Sequence, residues 1–387
     1  MKVVKLGDVA SIDRQIIAPS DLEPSTSYLG LEHIAQGGQI LDSETIGSSG
    51  VRSSKFRFTS DHILYGKLRP YLAKISRPSF SGVCSTDILA ILPGRDLDRN
   101  YLNHYLLQPN MVDYASSRAT GANLPRLSPN TLAGFPVPLP PLEDQRRIAA
   151  ILDKVDSLRA KRREAISHLE SLPQAIFREM YQGGDPGAWP LLRVGELVSS
   201  IESGSSPKCE SRPALDGEYG VLKLGAVTYG DFRPSENKAY LGSLDDLRVV
   251  EVNYGDVLMT RKNTLDLVGA VAVVDQLHPR LILPDLIFRL NFVPGIMDAH
   301  FFQTMMMSSV VRPRVRQLAG GSAASMSNIS KQRLSGLVVP VPPIEQQRAF
   351  SRVVEDAKAR LHRMTLQAKA LDELFASLQS RAFKGEL

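Results

Sequence analysis

One ten-residue phrase is written twice in this chain. Residues 137–146 read VPLPPLEDQR and residues 339–348 read VPVPPIEQQR, seven identities at a constant offset of 202. The same offset pairs Leu127-Ser128 with Ile329-Ser330, Leu132 with Leu334, Gly134 with Gly336 and Pro138 with Pro340; downstream, Leu169, Leu172 and Gly183 meet Leu371, Leu374 and Gly385. A repeat of this length makes the 387-residue chain two similarly planned units in tandem.

Each proline phrase is a helix entrance. Proline holds the preceding residue extended and is tolerated in a first helical turn, and Glu143-Asp144 and Glu345 place negative charge where the helix dipole favours it. Both helices, over 142–183 and 344–387, then run unbroken until Gly183 and Gly385 near their ends. In the second, Val354, Ala357, Leu361, Met364, Ala368, Leu371, Phe375, Leu378 and Ala382 keep 3-4 spacing, which is a heptad seam. In the first, the apolar residues Ile148, Ile151, Val155, Leu158, Ala165, Leu169, Leu172 and Ile176 trace a similar seam, interrupted at Arg162, and Pro173 is expected to kink the helix or end its regular part. Two such seams predict that the helices pack on each other. The competing arrangement is two helices each packed on its own domain.

What precedes each helix is different in kind. Residues 1–141 and 184–343 are rich in short β-like runs such as HILYGKL, DILAILP and VGAVAVV, separated by Gly, Pro, Ser and Asn turns. Both parts begin alike, VVKLGDVASI and LLRVGELVSSI; ILYGKLRPY at 63–71 resembles VLMTRKNTL at 257–265, and STDILAIL resembles LPDLIFRL. The predicted fold is α+β, with two β-rich α/β globular domains separated by two long helices. A hydrophobic content of 43% against 22% charge suits folded domains. No apolar run approaches the ~18 residues that cross a bilayer, so a soluble, cytoplasmic protein is expected. Cys84 and Cys209 form no metal or disulfide pattern, and a net charge of +5 permits an anionic partner without requiring one.

Two variable globular parts, each followed by a PLPPLEDQRRI-type phrase and a long helix, resemble the specificity subunit of type I restriction-modification systems. The resemblance covers essentially the whole chain, and its most specific pieces are Pro140-Pro141-Leu142-Glu143 with Gln145-Arg146, and Pro342-Pro343-Ile344-Glu345 with Gln347-Arg348. It implies that residues 1–141 and 184–343 are target recognition domains, each reading half of an asymmetric bipartite sequence in double-stranded DNA. It implies two adenine-methyltransferase subunits as partners, restriction subunits joined through them, and no membrane. It also implies no catalysis and no cofactor in this chain, with S-adenosylmethionine, ATP and Mg confined to the partners. It further implies that the two helices form an antiparallel coiled coil between the domains; a 40-residue helix rises ~60 Å, so such a coil would set the unread spacer between half-sites.

The motifs agree with a non-catalytic chain. There is no N-P-P-F/Y or D-P-P-Y, no G-x-x-x-x-G-K-S/T and no H-E-x-x-H. Pro284-Asp285 is followed by no Glu-x-Lys, and His33, His62, His104, His168, His278, His300 and His362 show no metal spacing. The alternatives are a coiled-coil adaptor with two protein-binding domains, and a diverged methyltransferase or nuclease.

Reading DNA takes cations for phosphates and planar donors or acceptors for base edges, on loops of a rigid scaffold. The candidates are Lys55 and Arg57 in SKFRF, Tyr65, Lys67, Arg69 and Tyr71 in YGKLRPY, and Arg261, Lys262 and Asn263 in TRKNT. A further cluster, Arg312, Arg314 and Arg316, precedes a Gly/Ser loop; its counterpart segment carries Arg118 and Arg126. The rival account of each is a solvated surface charge. Glu143, Arg146, Glu345 and Arg348 are candidates for partner contact, the rival being ion pairs within their own helices at a spacing of three.

Overall fold

The computed structural model describes residues 2–183, 189–245, 247–276, 280–320 and 326–386. His278, the Gly/Ser loop at 321–325 and the expected start of the second globular part at 184–188 lie outside them. The chain forms two compact units, Met1–Glu164 with Leu366–Leu387, and Ala165–Thr365.

Both units are built on one plan. In the first, an antiparallel sheet has the order Ala10–Asp13, Ile88–Pro93, Ile63–Gly66, Ile75–Ser76. In the second, the order is Val198–Glu202, Ile287–Phe292, Val257–Thr260, Val271–Val273, again antiparallel. The register Gly66 opposite Ile88 recurs as Thr260 opposite Ile287. The expected matching of ILYGKLRPY with VLMTRKNTL therefore holds, whereas STDILAIL and LPDLIFRL align one residue differently from their sequence resemblance. The inner strand is buried on both faces: Ile63 and Tyr65 join one core and Leu64 another, as Val257 and Met259 do against Leu258. The units differ beside this sheet, where the first carries a five-stranded sheet and the second a three-stranded one.

The proline phrase closes a two-stranded ribbon in each unit. Val3–Lys5 pairs with Pro136–Pro138, and Leu191–Arg193 with Val338–Pro340. Prolines are accepted here because a ribbon edge asks for few N–H donors. The flanking bonds also repeat: Leu6 N–H to Phe135 O at 2.8 Å and Val194 N–H to Leu337 O at 2.8 Å.

At the entrance to each long helix sits a buried glutamine that the sequence reading left without a role. Gln145 is 0% exposed; its Oε1 accepts from Asp98 N–H at 2.8 Å, and its Nε2 donates to Asp96 O at 2.9 Å and Pro140 O at 2.8 Å. Gln347, also 0% exposed, accepts from Asp298 N–H at 2.9 Å and donates to Ile296 O at 3.1 Å and Pro342 O at 2.8 Å. Asp98 and Asp298 in turn cap the short helices Arg99–Leu106 and Ala299–Met307 through their side chains. One amide thus ties the long helix, the proline turn and a domain helix together.

The long helices span Leu142–Gly183 and Ile344–Lys384. Pro173 does not end the first, which continues through it. In the first unit they run antiparallel: Arg159 Nε donates to Asp372 Oδ1 at 2.6 Å, and Arg162, further along, bonds Gln367, further back. In the second unit Phe177 shares a core with Phe350 and Val354. All nine seam positions expected on the C-terminal helix are buried or half-buried. On the central helix the expectation fails in part, because Ile151 and Leu158 are exposed. The shielded stripe is instead Ile148, Leu152, Val155, Arg159, Arg162, Ile166, Leu169, Pro173, Ile176 and Met180, an unbroken 3-4 repeat. Arg159 fits because its stem packs and its guanidinium lies 4.3 Å over the Phe375 ring while its charge meets Asp372.

Two stability measurements check this account. Gln145→Leu or Gln347→Leu strands one N–H and two carbonyls at a part-buried joint, where each unsatisfied group costs ~1 kcal/mol or more, so urea denaturation should show a loss of at least ~2 kcal/mol. Leu152→Asp should cost several kcal/mol (~3 or more) by burying an unpaired charge, while Leu158→Asp should stay within ~0.5 kcal/mol.

Candidate nucleic-acid interface

In the first unit the chain leaves the inner strand at Gly66 and runs through Lys67, Leu68 and Arg69 beside residues 125–127. Leu127 N–H bonds Lys67 O at 2.9 Å, Arg69 N–H bonds Pro125 O at 2.7 Å, and Leu68 faces Arg126 in an isolated bridge. The second unit repeats this: Lys262–Asn263 pairs with Ser327–Asn328, and Ile329 N–H bonds Arg261 O at 2.9 Å. Two segments far apart in sequence are thereby laced into one surface in each unit. Lys67, Arg69 and Tyr71 meet Arg126 on the first.

On this surface Arg69 is exposed, its backbone in the left-handed region at φ 51°, and Tyr71 is 50% exposed. Lys67 Nζ and Arg126 Nε both face Asp87 Oδ1, at 3.7 and 3.5 Å. On the second unit Lys262 Nζ lies 3.2 Å from Asp285 Oδ2. The Asp285 carboxyl is held below its ordinary range by the Ser206 hydroxyl and then by Lys262. Arg261 Nε donates to Asn328 Oδ1 at 3.2 Å with its guanidinium 5.5 Å over Phe288, and Asn263 Nδ2 donates to Thr228 Oγ1 at 3.2 Å.

The arginine cluster joins the same neighbourhood. Arg312–Gln317 is a helix, and Arg312 Nη2 and Arg316 Nη2 both donate to Asp266 O, at 3.0 and 3.4 Å, just past Arg261–Asn263. Burial, then the nearby Arg316, pushes the Arg312 guanidinium below its ordinary pKa, and its Nη1 is buried with no hydrogen-bond partner among the described residues. Arg314 is exposed and bonds Val338 O at 3.4 Å.

Two expected readers are withdrawn from the surface. Tyr65 is 3% exposed, because alternation along a two-sided strand points it into the core, and burial pushes its phenol well above the ordinary range. Lys55 is 4% exposed; its Nζ is spent on Ser53 O at 2.8 Å, Ser53 Oγ at 2.7 Å and Ser54 O at 3.3 Å, and burial pulls its ammonium down. Arg57 is exposed but on a different sheet, with Asp13, Arg14, Thr59 and His62 around a hollow of about 400 Å³. The partner candidates Glu143, Arg146, Glu345 and Arg348 are all exposed at the helix entrances. Arg348 pairs with Glu345 at 3.2 Å, while the first copy's ion pair runs one residue on, from Arg147 to Asp144 at 3.2 Å.

Residues 1–168 match the family described as the type I restriction modification DNA specificity domain. The EcoDI type I restriction enzyme specificity subunit of Escherichia coli is 30% identical over 191 residues, 48% of this chain and 42% of that protein. The EcoKI specificity subunit of Escherichia coli strain K12 is 24% identical over 336 residues, 80% of this chain and 69% of that one. Residues 1–168 thus carry a match to the specificity-domain family, and the chain as a whole is similar to type I specificity subunits. The EcoDI match spans less than half the length of that relative. A crystal structure of a type I restriction-modification S subunit from M. genitalium shares the fold, with a TM-score of 0.62 at 12% identity over 99% of this chain and 96% of that one. The family match stops at residue 168, and the second unit is reached by the EcoKI alignment and by the M. genitalium structure. No helix among the described residues is long and apolar enough to cross a membrane.

Sequence reasoning passed over Asp87 and Asp266 and weighed Asp285 only as a nuclease motif, although all three touch the candidate cations; the signal for Asp87 and Asp285 was the acid that opens both DILAIL and DLIFRL. For a specificity subunit built this way, Arg69→Ala or Arg261→Ala should weaken duplex binding and lower its salt slope by about one. Lys55→Met should lower the thermal midpoint and leave that slope unchanged.

Proposed function

We propose that this chain is the DNA-recognition subunit of a type I restriction-modification complex and is not itself an enzyme. Each of its two sheet-based units reads one half of an asymmetric, bipartite duplex target. The exposed residues at the two helix entrances, Glu143 and Arg146 and then Glu345 and Arg348, dock two adenine-methyltransferase subunits, through which restriction subunits join. Methyl donor, ATP and Mg chemistry belong to those partners, and the complex works in the cytoplasm.

The observation that carries this reading is the joint made twice. The buried Gln145 and Gln347 hold the helix entrances identically, while the loops that follow the inner strands carry different side chains: Lys67, Arg69 and Tyr71 against Arg261, Lys262 and Asn263. Constancy where a repeated partner would bind, with variation where a text would be read, is what two different half-sites served by two like subunits require. Conserved spacing with variable loops is also what allows one scaffold to change its target. A pair of protein-binding domains would give no reason for arginine and lysine to gather at the same place in both.

The test is a map of methylated adenines in cells carrying this chain with its methyltransferase. Replacing residues 1–141 by the equivalent part of a relative should change one half of the methylated sequence and preserve the other half. A change in both halves, or in neither, would overturn independent reading. The purified chain alone should transfer no methyl group to DNA.

A further inference from the structure

In both units an aspartate just before one middle strand, Ile88–Pro93 or Ile287–Phe292, faces a lysine just past the other, Ile63–Gly66 or Val257–Thr260. Asp87 meets Lys67 at 3.7 Å and Arg126 at 3.5 Å; Asp285 meets Lys262 at 3.2 Å. The pairs are not at equivalent positions. Gly66 opposite Ile88 corresponds to Thr260 opposite Ile287, so Lys67 lies one residue past the strand and Lys262 two, while Asp87 lies one residue before the facing strand and Asp285 two. Both partners have moved by one and the pair is kept.

These contacts have little structural work to perform. Asp87 is 31% exposed and Asp285 38%, the contacts run through single carboxylate oxygens, and the backbone beside them is already fixed by Lys67 N–H to Asp87 O at 2.9 Å and Arg261 N–H to Leu286 O at 2.8 Å. A half-exposed ion pair contributes little to stability. What each acid does is occupy, with a fixed anion, the cation that would otherwise be open to any phosphate.

Resting on the reading of this chain as a DNA-recognition subunit, we propose that Asp87 and Asp285 are specificity-setting counter-charges. They stand in for phosphate on Lys67, Arg126 and Lys262 in the free protein, so that random duplex must displace them without compensation. A correct half-site supplies base-edge contacts that offset the displacement. The acids thus weaken binding to random sequence more than binding to the target, because nonspecific affinity is almost wholly phosphate contact.

The experiment compares Asp87→Asn and Asp285→Asn with Asp42→Asn, an exposed aspartate elsewhere in the first unit, in the full chain with its methyltransferase subunits. Binding to random-sequence duplex and to the target duplex is measured across a salt series. Each of the first two variants should bind random duplex about tenfold more tightly at low salt, with a salt slope steeper by roughly one, and change target affinity much less. Asp42→Asn should give only the small, uniform gain of one added unit of net charge. If the three variants behave alike, the counter-charge role is wrong. It is equally wrong if Asp87→Asn or Asp285→Asn loses target affinity with random binding unchanged, since the acid would then be reading a base, cytosine N4 being the donor it suits. Failure of the parent chain to bind any duplex in a salt-dependent way would instead remove the DNA-recognition reading itself.

Discussion

The structure depends on an uncharged side chain in a place where charge or bulk would fail. A glutamine amide offers one acceptor and two donors in a single plane. At Gln145 and Gln347 the acceptor takes a domain N–H, and the two donors go to a domain carbonyl and to the proline turn. Glutamate would bring a charge and no donors; leucine would leave three polar groups without these partners. Since a helix is stiff and advances 1.5 Å per residue, fixing its first turn against the domain fixes the direction of everything that follows. The proline pair serves the same end by limiting the backbone between ribbon and helix to extended conformations.

The coil uses polar residues to the same effect. Arg159 lies in the seam of the first unit, 17% exposed, bonded to Asp372 at 2.6 Å and to Asp156 at 2.8 Å. The hydrogen bond from Arg159 holds the Asp372 carboxyl below its ordinary range. A nearby pair repeats the idea at the domain surface. Burial alone would raise Asp153, yet hydrogen bonds from His104 and Arg77 bring it down to about 2. Charged partners in a seam stabilise less than leucines would, but they accept only one register, and a slipped helix would strand them.

Charge on the two candidate surfaces is balanced more closely than the composition alone would suggest. Lys67, Arg126, Lys262 and Arg316 each face an acid, and Arg312 bonds a carbonyl of the segment that supplies one of them. These pairings sit beside a net charge of only +5 over the whole chain. Positive potential here is local and gated by neighbours, which favours discrimination over raw attraction.

The sequence by itself determined the tandem plan, the two helix entrances, the C-terminal seam and the matching of the inner strands, because each is a local signal: a repeated phrase, a 3-4 spacing, an apolar run between turns. It also located the loop that follows the inner strand, where Arg69 and Tyr71 are exposed. What it could not determine depended on which neighbours a side chain meets. Tyr65 and Lys55 look like readers until the second face of their strands is filled, and Ile151 looks like a seam residue until Arg159 finds Asp372, 213 positions away. Asp87 and Asp285 acquire a role only once strand pairing sets them against Lys67 and Lys262. Gln145 and Gln347 were visible as identities in a repeat, but a buried amide declares its purpose through partners 49 and 5 residues away, and only tertiary structure brings an N–H and two carbonyls to the same point. Periodicity is written along the chain, whereas hydrogen-bond satisfaction is decided across it.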